Sequence, residues 1–173
     1  FILTSSNYVE DVLTGLKEFI RPSTMLVLGS KGILKDGTLI SELIEKMLPK
    51  TRFAILSGPT FAIDIAALEP VGFTLATDSL EDYDTLKNVL DMAYTEYSSD
   101  TLAVELAGSL KNAYAIGAGI LSSFDYGVST SCLYMTRVLS EMSNIFDFYG
   151  SNESTVTTLA GVGDLVLTCS SPN

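Results

Sequence analysis

The feature that most constrains the fold is a change of hydrophobic periodicity near residue 100. Before it, short apolar runs alternate with amphipathic segments, and after it only helical spacing continues. The predicted strands cover 25–29, 53–56, 71–77 and 94–97, with helices between them at 9–20, 39–48, 60–67 and 79–93. Further helices are predicted at 102–121, 129–149 and 153–160. We therefore predict an α/β domain over 1–100, with parallel strands and right-handed crossovers, and an all-α domain over 101–173.

Local signals mark two helix starts and the beginning of the chain. Asn7 with Glu10, and Ser79 with Asp82, have the spacing at which a polar side chain caps the first turn of a helix. The first three residues (FIL) resemble the later part of a strand whose earlier residues would precede Phe1. We therefore expect this chain to be a fragment of a longer protein.

The charge of the chain limits its partners. It has 21 Asp and Glu against 10 Lys and Arg, a net charge of −11. Nucleic acids and anionic membranes bind clusters of Lys and Arg, so neither is an expected partner. The uncharged stretch 112–124 is shorter than the roughly 20 apolar residues that span a bilayer, so no membrane insertion is expected. An anionic small molecule stays compatible if the few cations gather at one site.

Histidine is absent and cysteine is rare. Proton transfer near neutral pH must then use a Lys, carboxylate, Cys or Tyr side chain with a shifted pKa. Cys132 and Cys169 stand alone, with no C-x-x-C pair, which favours a reducing cytoplasm and argues against a metal site. A disulfide between them is the alternative.

Lys111 has an unusual setting. On a helix it shares a face with Gly108, Ala115 and Ala118, whose side chains are hydrogen or methyl. Such a face permits close approach by a ligand or another segment, and the loss of water lowers a lysine pKa. The alternative is that Lys111 reaches solvent from a close helix contact, with the small residues serving packing alone. The residue types alone do not decide between these two alternatives for Lys111.

Three other stretches carry candidate site residues. Lys31 directly follows a strand, at the end where open α/β sheets bind ligands, although a solvated loop lysine fits equally well. In 57–60 (SGPT), Thr60 lies near a helix start whose free N–H groups favour anions, but an ordinary turn with a capping Thr is the default. Asp164 follows Gly161-Val-Gly163 and is either a helix cap or a tightly packed carboxylate. Those glycines do not complete G-x-G-x-x-G after a strand, so we reject a dinucleotide fingerprint there.

Together these stretches resemble the NAD(P)-dependent glycerol-3-phosphate dehydrogenases, most closely the bacterial type. The matching motifs occur in the family's order and cover essentially the whole chain. They are SKGI (30–33), SGPTFA (57–62), VELAGSLKNAYAIGAGI (104–120), TR-x-L-x-E (136–141) and LAGVGDLVLTCSS (159–171).

The resemblance implies a fold and a reaction. The fold is the later part of a Rossmann-like NAD(P)-binding domain followed by the start of a helical domain like that of 6-phosphogluconate dehydrogenase, with the active site between them. The reaction interconverts dihydroxyacetone phosphate and sn-glycerol 3-phosphate by hydride transfer with NAD or NADP, in the cytoplasm, and feeds glycerophospholipid synthesis.

The same resemblance assigns roles to residues. Lys111 is the catalytic acid/base, and Asp164 assists it and contacts the substrate. The other implied substrate-site residues are Lys31, Gly58, Thr60, Asn112 and Thr168. Lys31 and Ala62 are implied to lie beside the cofactor. A carboxylate next to Lys111 would raise its pKa, against the effect of desolvation.

Several positions depart from the family pattern. The nucleotide-binding glycine loop is missing, and the chain ends at Asn173, before the Arg-Asn element expected to grip the substrate phosphate. Ser129 and Ser131 stand where the family usually has Asn and a basic residue, and Glu69 adds an acid after SGPTFA. We therefore expect the fragment alone to be inactive and to bind neither cofactor nor substrate tightly.

Two other functions stay open at this point. One is another dehydrogenase of the same architecture, acting on a hydroxyacid or a sugar phosphate. The other is a non-catalytic binding module, against which the retention of Lys31, Lys111 and Asp164 argues. The sequence leaves open the choice between NAD and NADP and the oligomeric state, a homodimer included.

Overall fold

A four-stranded sheet forms the framework of the first part of the chain. The computed structural model describes residues 1–170. The strands lie side by side in the order β1 (Met25–Leu28), β2 (Arg52–Ser57), β3 (Gly72–Ala76) and β4 (Tyr94–Ser98). The opening residues run beside β1, where Ile2 forms a parallel bridge with Leu28. The four predicted strands are therefore present, close to their predicted bounds.

Helices join the strands and then continue alone. In the first part they are α1 (Val9–Leu16), α2 (Ile40–Met47), α3 (Ala62–Ala66) and α4 (Leu80–Val89), and the later part contains α5 (Thr101–Ser122), α6 (Val128–Phe148) and α7 (Asp164–Ser170). This order confirms the predicted fold class, α/β followed by all-α. The division into two domains at residue 100 stays a prediction. Among residues 1–170, no helix is both long and apolar enough to cross a membrane.

The direction of β3 differs from the prediction. β1 pairs with β2, and β3 with β4, in parallel, but β2 and β3 are antiparallel, with Ser57 opposite Thr74. The connection between β2 and β3 contains only the five-residue α3. Five helical residues rise about 7.5 Å, whereas a strand of this length spans about 17–20 Å. Because α3 is too short to carry the chain back across the sheet, β3 begins at the edge where β2 ends.

The capping prediction is confirmed at α4 and wrong at α1. Ser79 Oγ accepts a hydrogen bond from Asp82 N at 3.4 Å, as the spacing predicts. The chain enters α1 through a 3-10 turn that contains Asn7, so Asn7 lies inside a turn and does not cap the helix. The segment 153–160 is helical as predicted, but it does not form one α-helix. A 3-10 helix (Glu153–Thr157) is followed by a π-helical turn (Leu159–Gly163).

Hydrophobic side chains form one layer on each face of the sheet and a third cluster among the later helices. One layer packs beneath α1 and α2 and also contains Val104 of α5 and Ala160. The opposite layer packs beneath α4 at Leu86. The third cluster joins α5, α6 and α7 around the fully buried Phe146 and Leu165. Because Val104 and Ala160 enter the core of the sheet, the helical part is fixed against it.

Candidate active site

Asp164 is the centre of a buried ionic cluster. It is the first residue of α7 and is 1% exposed. Its carboxylate accepts hydrogen bonds from two ammonium groups, Lys111 Nζ on Oδ1 at 2.5 Å and Lys31 Nζ on Oδ2. Ser57 Oγ, at the end of β2, donates to Oδ2 at 3.4 Å. One carboxylate therefore joins the ends of two strands to two helices.

The ammonium group of Lys111 is held by two hydrogen-bond acceptors. It lies on α5 and is 9% exposed. Besides Asp164, its Nζ donates to Thr168 Oγ1 at 3.1 Å, and that hydroxyl donates to the backbone oxygen of Asp164 at 2.6 Å. These bonds fix the direction in which the ammonium points. A proton donor held this way loses little conformational freedom when a reactant arrives.

The loop after β1 brings Lys31 to the same carboxylate. A Cβ built on Gly108 of α5 would lie 3.2 Å from Ser57 Oγ and 3.8 Å from the Lys31 stem, so the small residue allows this close approach. The next residue of α5, Ser109, accepts a hydrogen bond on Oγ from Gly32 N at 3.3 Å. Gly32 has φ +126, a conformation that favours glycine. Gly108 therefore allows close packing of the loop that carries Lys31 against α5.

The cluster has one positive charge more than negative charge. Two lysine ammonium groups share one carboxylate in surroundings from which most water is excluded. Burial lowers the pKa of Lys31 from its ordinary value. The Asp164 charge partly offsets this effect, and the nearby Lys111 charge adds to it. The Lys31 side chain is still 27% exposed, so it can meet a ligand from solvent. The arrangement suits an anionic ligand beside a group that transfers a proton.

The segment of residues 57–60 packs against the turn before Asp164. A Cβ on Gly58 would lie 2.4 Å from the backbone oxygen of Gly72, because β2 and β3 meet at this edge. Close packing thus explains this glycine without any ligand. Pro59 lies 3.3 Å from where a Cβ on Gly163 would be. Thr60, half-buried, follows directly.

Two other predicted residues occupy exposed positions. Ala62 is exposed at the start of α3, and Asn112 is exposed on α5, next to Lys111 in sequence. The structure thus brings Lys31, Lys111 and Thr168 to Asp164. The roles assigned to Ala62 and Asn112, like all the assigned roles, stay predictions. Residues 171–173, where the LAGVGDLVLTCSS motif and the chain end, lie outside the described residues.

The turn that leads into Asp164 depends on close backbone packing. A Cβ on Gly161 would lie 2.4 Å from the backbone oxygens of Thr155 and Val156, so only glycine fits there. Thr158 Oγ1 accepts a hydrogen bond from Gly161 N at 3.2 Å. These contacts stabilise a π-helical turn in place of the predicted helix, and such turns are frequent at functional sites. The two glycines of 161–163 therefore shape this turn.

Sequence reasoning missed two buried residues near the cluster. Ser57 is the first residue of SGPT, but only the later positions were candidates. Glu105 lies on α5 inside the same block as Lys111 and is 6% exposed. Its Oε1 accepts from Ile40 N at 2.8 Å and Ser41 N at 3.2 Å, and its Oε2 accepts from Ser41 Oγ. A buried acid two turns before Lys111 is a signal in the sequence, but nothing local shows that its partners are 65 residues away.

Two family models match the chain in its own order. The model described as "NAD-dependent glycerol-3-phosphate dehydrogenase N-terminus" matches residues 1–82. The model described as "NAD-dependent glycerol-3-phosphate dehydrogenase C-terminus" matches residues 100–173. The chain belongs to the family of NAD-dependent glycerol-3-phosphate dehydrogenases.

Individual relatives and solved structures agree with this assignment. The glycerol-3-phosphate dehydrogenase [NAD(P)+] of Coxiella burnetii is 34% identical over 170 residues, covering 97% of this chain and 51% of the relative. The protein of the same name from Neorickettsia sennetsu is 33% identical and covers 98% and 52%. The chain thus spans about half the length of the curated relatives it matches.

The solved structures match the fold described above. A crystal structure of glycerol-3-phosphate dehydrogenase from Coxiella burnetii superposes with a TM-score of 0.91 at 33% identity, over 97% of this chain and 52% of that chain. The glycerol-3-phosphate dehydrogenase of Saccharomyces cerevisiae superposes with a TM-score of 0.86 at 23% identity, over 97% and 52%, and so supports the fold alone.

Proposed function

We propose that the full-length protein carrying this chain interconverts dihydroxyacetone phosphate and sn-glycerol 3-phosphate with NAD or NADP, using Lys111 as the acid/base. The observation that carries the proposal is the buried carboxylate of Asp164 bound between the ammonium groups of Lys111 and Lys31. The names of the relatives, which include glycerol 3-phosphate and NAD(P)+, supply the substrate and the cofactor.

The residues fit this chemistry on two counts. A carbonyl oxygen that becomes a hydroxyl needs a proton donor beside it, and Lys111 is a donor fixed by Asp164 and Thr168. A substrate that carries a phosphate needs positive charge nearby, and the cluster has one ammonium in excess of its carboxylate. The nicotinamide, when bound, supplies or accepts the hydride.

Each of the predicted site residues then has a role in the proposed reaction. In reduction, Lys111 Nζ gives its proton to the carbonyl oxygen, and in oxidation it removes the proton from the hydroxyl. Asp164 holds the ammonium in place. Lys31 and Thr168, which both bind Asp164, contact the substrate. Gly58, Thr60 and Asn112 complete the substrate site, and Ala62 with Lys31 borders the cofactor.

Three broader expectations rest on the same proposal. Reduction of dihydroxyacetone phosphate would feed glycerophospholipid synthesis. A cytoplasmic location agrees with the two thiols, since Cys132 and Cys169 are both free in the structure. A homodimer is compatible with the family but rests on the resemblance alone.

The test is the substitution Lys111→Ala in the full-length protein. We expect kcat for dihydroxyacetone phosphate reduction to fall by at least about a hundredfold, as for the loss of an acid/base. The measurement is the rate of NAD(P)H oxidation at saturating substrate, with folding checked by circular dichroism.

The matched control is Lys17→Ala, which removes an exposed lysine at the end of α1. It should leave kcat unchanged. A near-normal kcat in folded Lys111→Ala would overturn the assignment. Turnover of a hydroxyacid or of 6-phosphogluconate in preference to glycerol 3-phosphate would contradict the proposed substrate. It would not contradict the role of Lys111 as the acid/base.

A further inference from the structure

The carboxylate of Glu96 is hydrogen-bonded to the turn that carries Asp164. Glu96 lies on β4, and its Oε1 accepts hydrogen bonds from Leu159 N and from Thr74 Oγ1, both at 2.6 Å. The Thr74 hydroxyl in turn accepts a hydrogen bond from Ala160 N at 2.9 Å. Two strand side chains thus bind the first two backbone N–H groups of the π-helical turn.

These hydrogen bonds are made by Thr74 and Glu96, to which the proposed reaction assigns no role. Thr74 is fully buried on β3, and Glu96 is half-buried on the neighbouring strand β4, directly opposite it in register. A buried N–H group without a hydrogen-bond partner is destabilising, so the turn needs acceptors here. A glutamate is a costly residue to half-bury for that purpose alone, since a neutral acceptor such as Thr74 would satisfy an N–H group.

The turn transmits its position to Asp164 because it is confined on both sides. Gly161 packs against the backbone oxygens of Thr155 and Val156 with no room for a Cβ. On the other side, Gly163 packs against Pro59. Asp164 directly follows the five-residue turn that begins at the anchored Leu159, so the turn cannot absorb a shift at its start within its own length.

We propose that Glu96 is a positioning residue, which sets the place of Asp164 and, through it, of Lys111. The inference rests on the proposed function, since it gives Glu96 a part in the same proton transfer. Without the carboxylate, Leu159 N loses its acceptor and Thr74 Oγ1 loses the group to which it donates. We expect the first residues of the turn to move away from β3 and β4 when these bonds are lost, and the carboxylate that holds the two ammonium groups to move with them.

The test compares two substitutions in the full-length protein. Glu96→Met keeps the length of the side chain and removes the acceptor, whereas Glu96→Gln keeps an acceptor oxygen and removes the charge. We expect Glu96→Met to lower kcat by about tenfold with KM nearly unchanged, because small misplacements of a catalytic group are costly. Glu96→Gln should restore kcat to within about twofold of the original protein. Glu18→Met, at an exposed position, is the matched control and should change neither.

A second readout does not depend on activity. The rates at which an amine-reactive reagent modifies Lys31 and Lys111, each relative to exposed Lys17, are measured by mass spectrometry. Release of the ammonium groups from Asp164 should raise both rates in Glu96→Met and in neither Glu96→Gln nor Glu18→Met. If Glu96→Met does not fold, Glu96→Thr is the second variant. Threonine suits a strand but is too short to reach Leu159 N.

The two readouts separate this inference from the proposed function. Faster labelling together with a lower kcat supports both. Faster labelling with an unchanged kcat supports the positioning role of Glu96 and contradicts the catalytic role of the cluster. Unchanged labelling overturns the positioning role, whatever happens to kcat. An equal loss of kcat in Glu96→Gln and Glu96→Met would also overturn it, because the hydrogen bonds would then not be the cause.

Discussion

Two buried carboxylates lie against helix α5, and they differ in the donors that surround them. Within residues 1–170, Glu105, on the helix itself, accepts side-chain hydrogen bonds from neutral groups alone, namely Ile40 N, Ser41 N and the Ser41 hydroxyl. Asp164 accepts from two lysine ammonium groups and the hydroxyl of Ser57. Both side chains are almost completely removed from water.

The difference separates a structural carboxylate from one suited to chemistry. Neutral donors at the start of α2 satisfy Glu105 but do not compensate its charge, so burial raises its pKa above the ordinary glutamate value. At Asp164 the cations exceed the carboxylate by one. Glu105 therefore caps the start of α2, whereas Asp164 leaves positive charge available to a ligand.

The largest expected effect is that of Asp164→Asn. The amide leaves the buried ammonium of Lys111 and the partly buried ammonium of Lys31 without a counter-charge, and breaking a buried pair in this way typically costs about 3 kcal/mol or more. We expect the free energy of unfolding to fall by about 3 kcal/mol, measured by urea denaturation. Catalytic activity should also be lost.

The matched control for Asp164→Asn is Asp82→Asn. Asp82 is also a buried aspartate, but its partner Arg52 has a side chain that is 49% exposed and can be rehydrated. The control should therefore be clearly less destabilised. An equal loss of stability in both variants would show that the second ammonium does not distinguish the Asp164 site.

The next effect is the loss of the helix cap in Glu105→Ala. This change leaves Ile40 N and the Ser41 groups without an acceptor at a buried helix start, which we expect to cost about 2 kcal/mol. Glu105→Gln keeps an acceptor and should lose less than half as much. Thermal or urea unfolding of the two variants checks this order. If Gln is as destabilising as Ala, the charge of Glu105 matters more than its hydrogen bonds.

A pH comparison of the same position gives a smaller effect with a definite sign. Because burial raises the pKa of Glu105, the folded protein binds this proton more tightly than the unfolded chain. The contribution of Glu105 to stability is thus fully present below about pH 4.3 and is lost as the pH rises through the folded pKa. Glu105→Gln lacks this dependence, so its stability relative to the original protein should improve from pH 4 to pH 7. A constant difference across that range would contradict the effect of burial.

The smallest effect expected is a change in the titration of Lys31. Burial lowers its pKa, and the Asp164 charge partly offsets that shift. In Asp164→Asn the offset is lost, so the pKa of Lys31 should fall further, whereas in Asp82→Asn it should not change. NMR titration of lysine side-chain nitrogen measures both. A rise of the Lys31 pKa in Asp164→Asn would contradict the ion pair.

Much of the fold follows from local pattern. Alternating apolar runs located all four strands, and Ser79 capped α4 as its spacing predicts. The direction of β3 could not be predicted in this way. It depends on the shortness of α3 and on the backbone contact of Gly58 with Gly72, which are properties of two strands meeting at one edge.

The candidate site shows the same division between local and distant information. The small residues beside Lys111 and the glycines before Asp164 identified these positions from sequence, and the family resemblance assigned their roles. Residue types alone could not show that Lys31 and Asp164, 133 positions apart, share an ion pair, or that Glu105 caps a helix 65 positions away.

The sequence by itself determined most of the elements, the family and the short list of ionisable residues, because periodicity and motifs act over a few neighbouring positions. Tertiary structure alone decided which of those residues meet. Asp164 binds two ammonium groups only because α5 packs on the loop after β1 at Gly108 while a confined turn ends at the same place. The energy of such contacts depends on burial and on distances of a few ångströms between segments far apart in the chain, and no local pattern encodes either quantity.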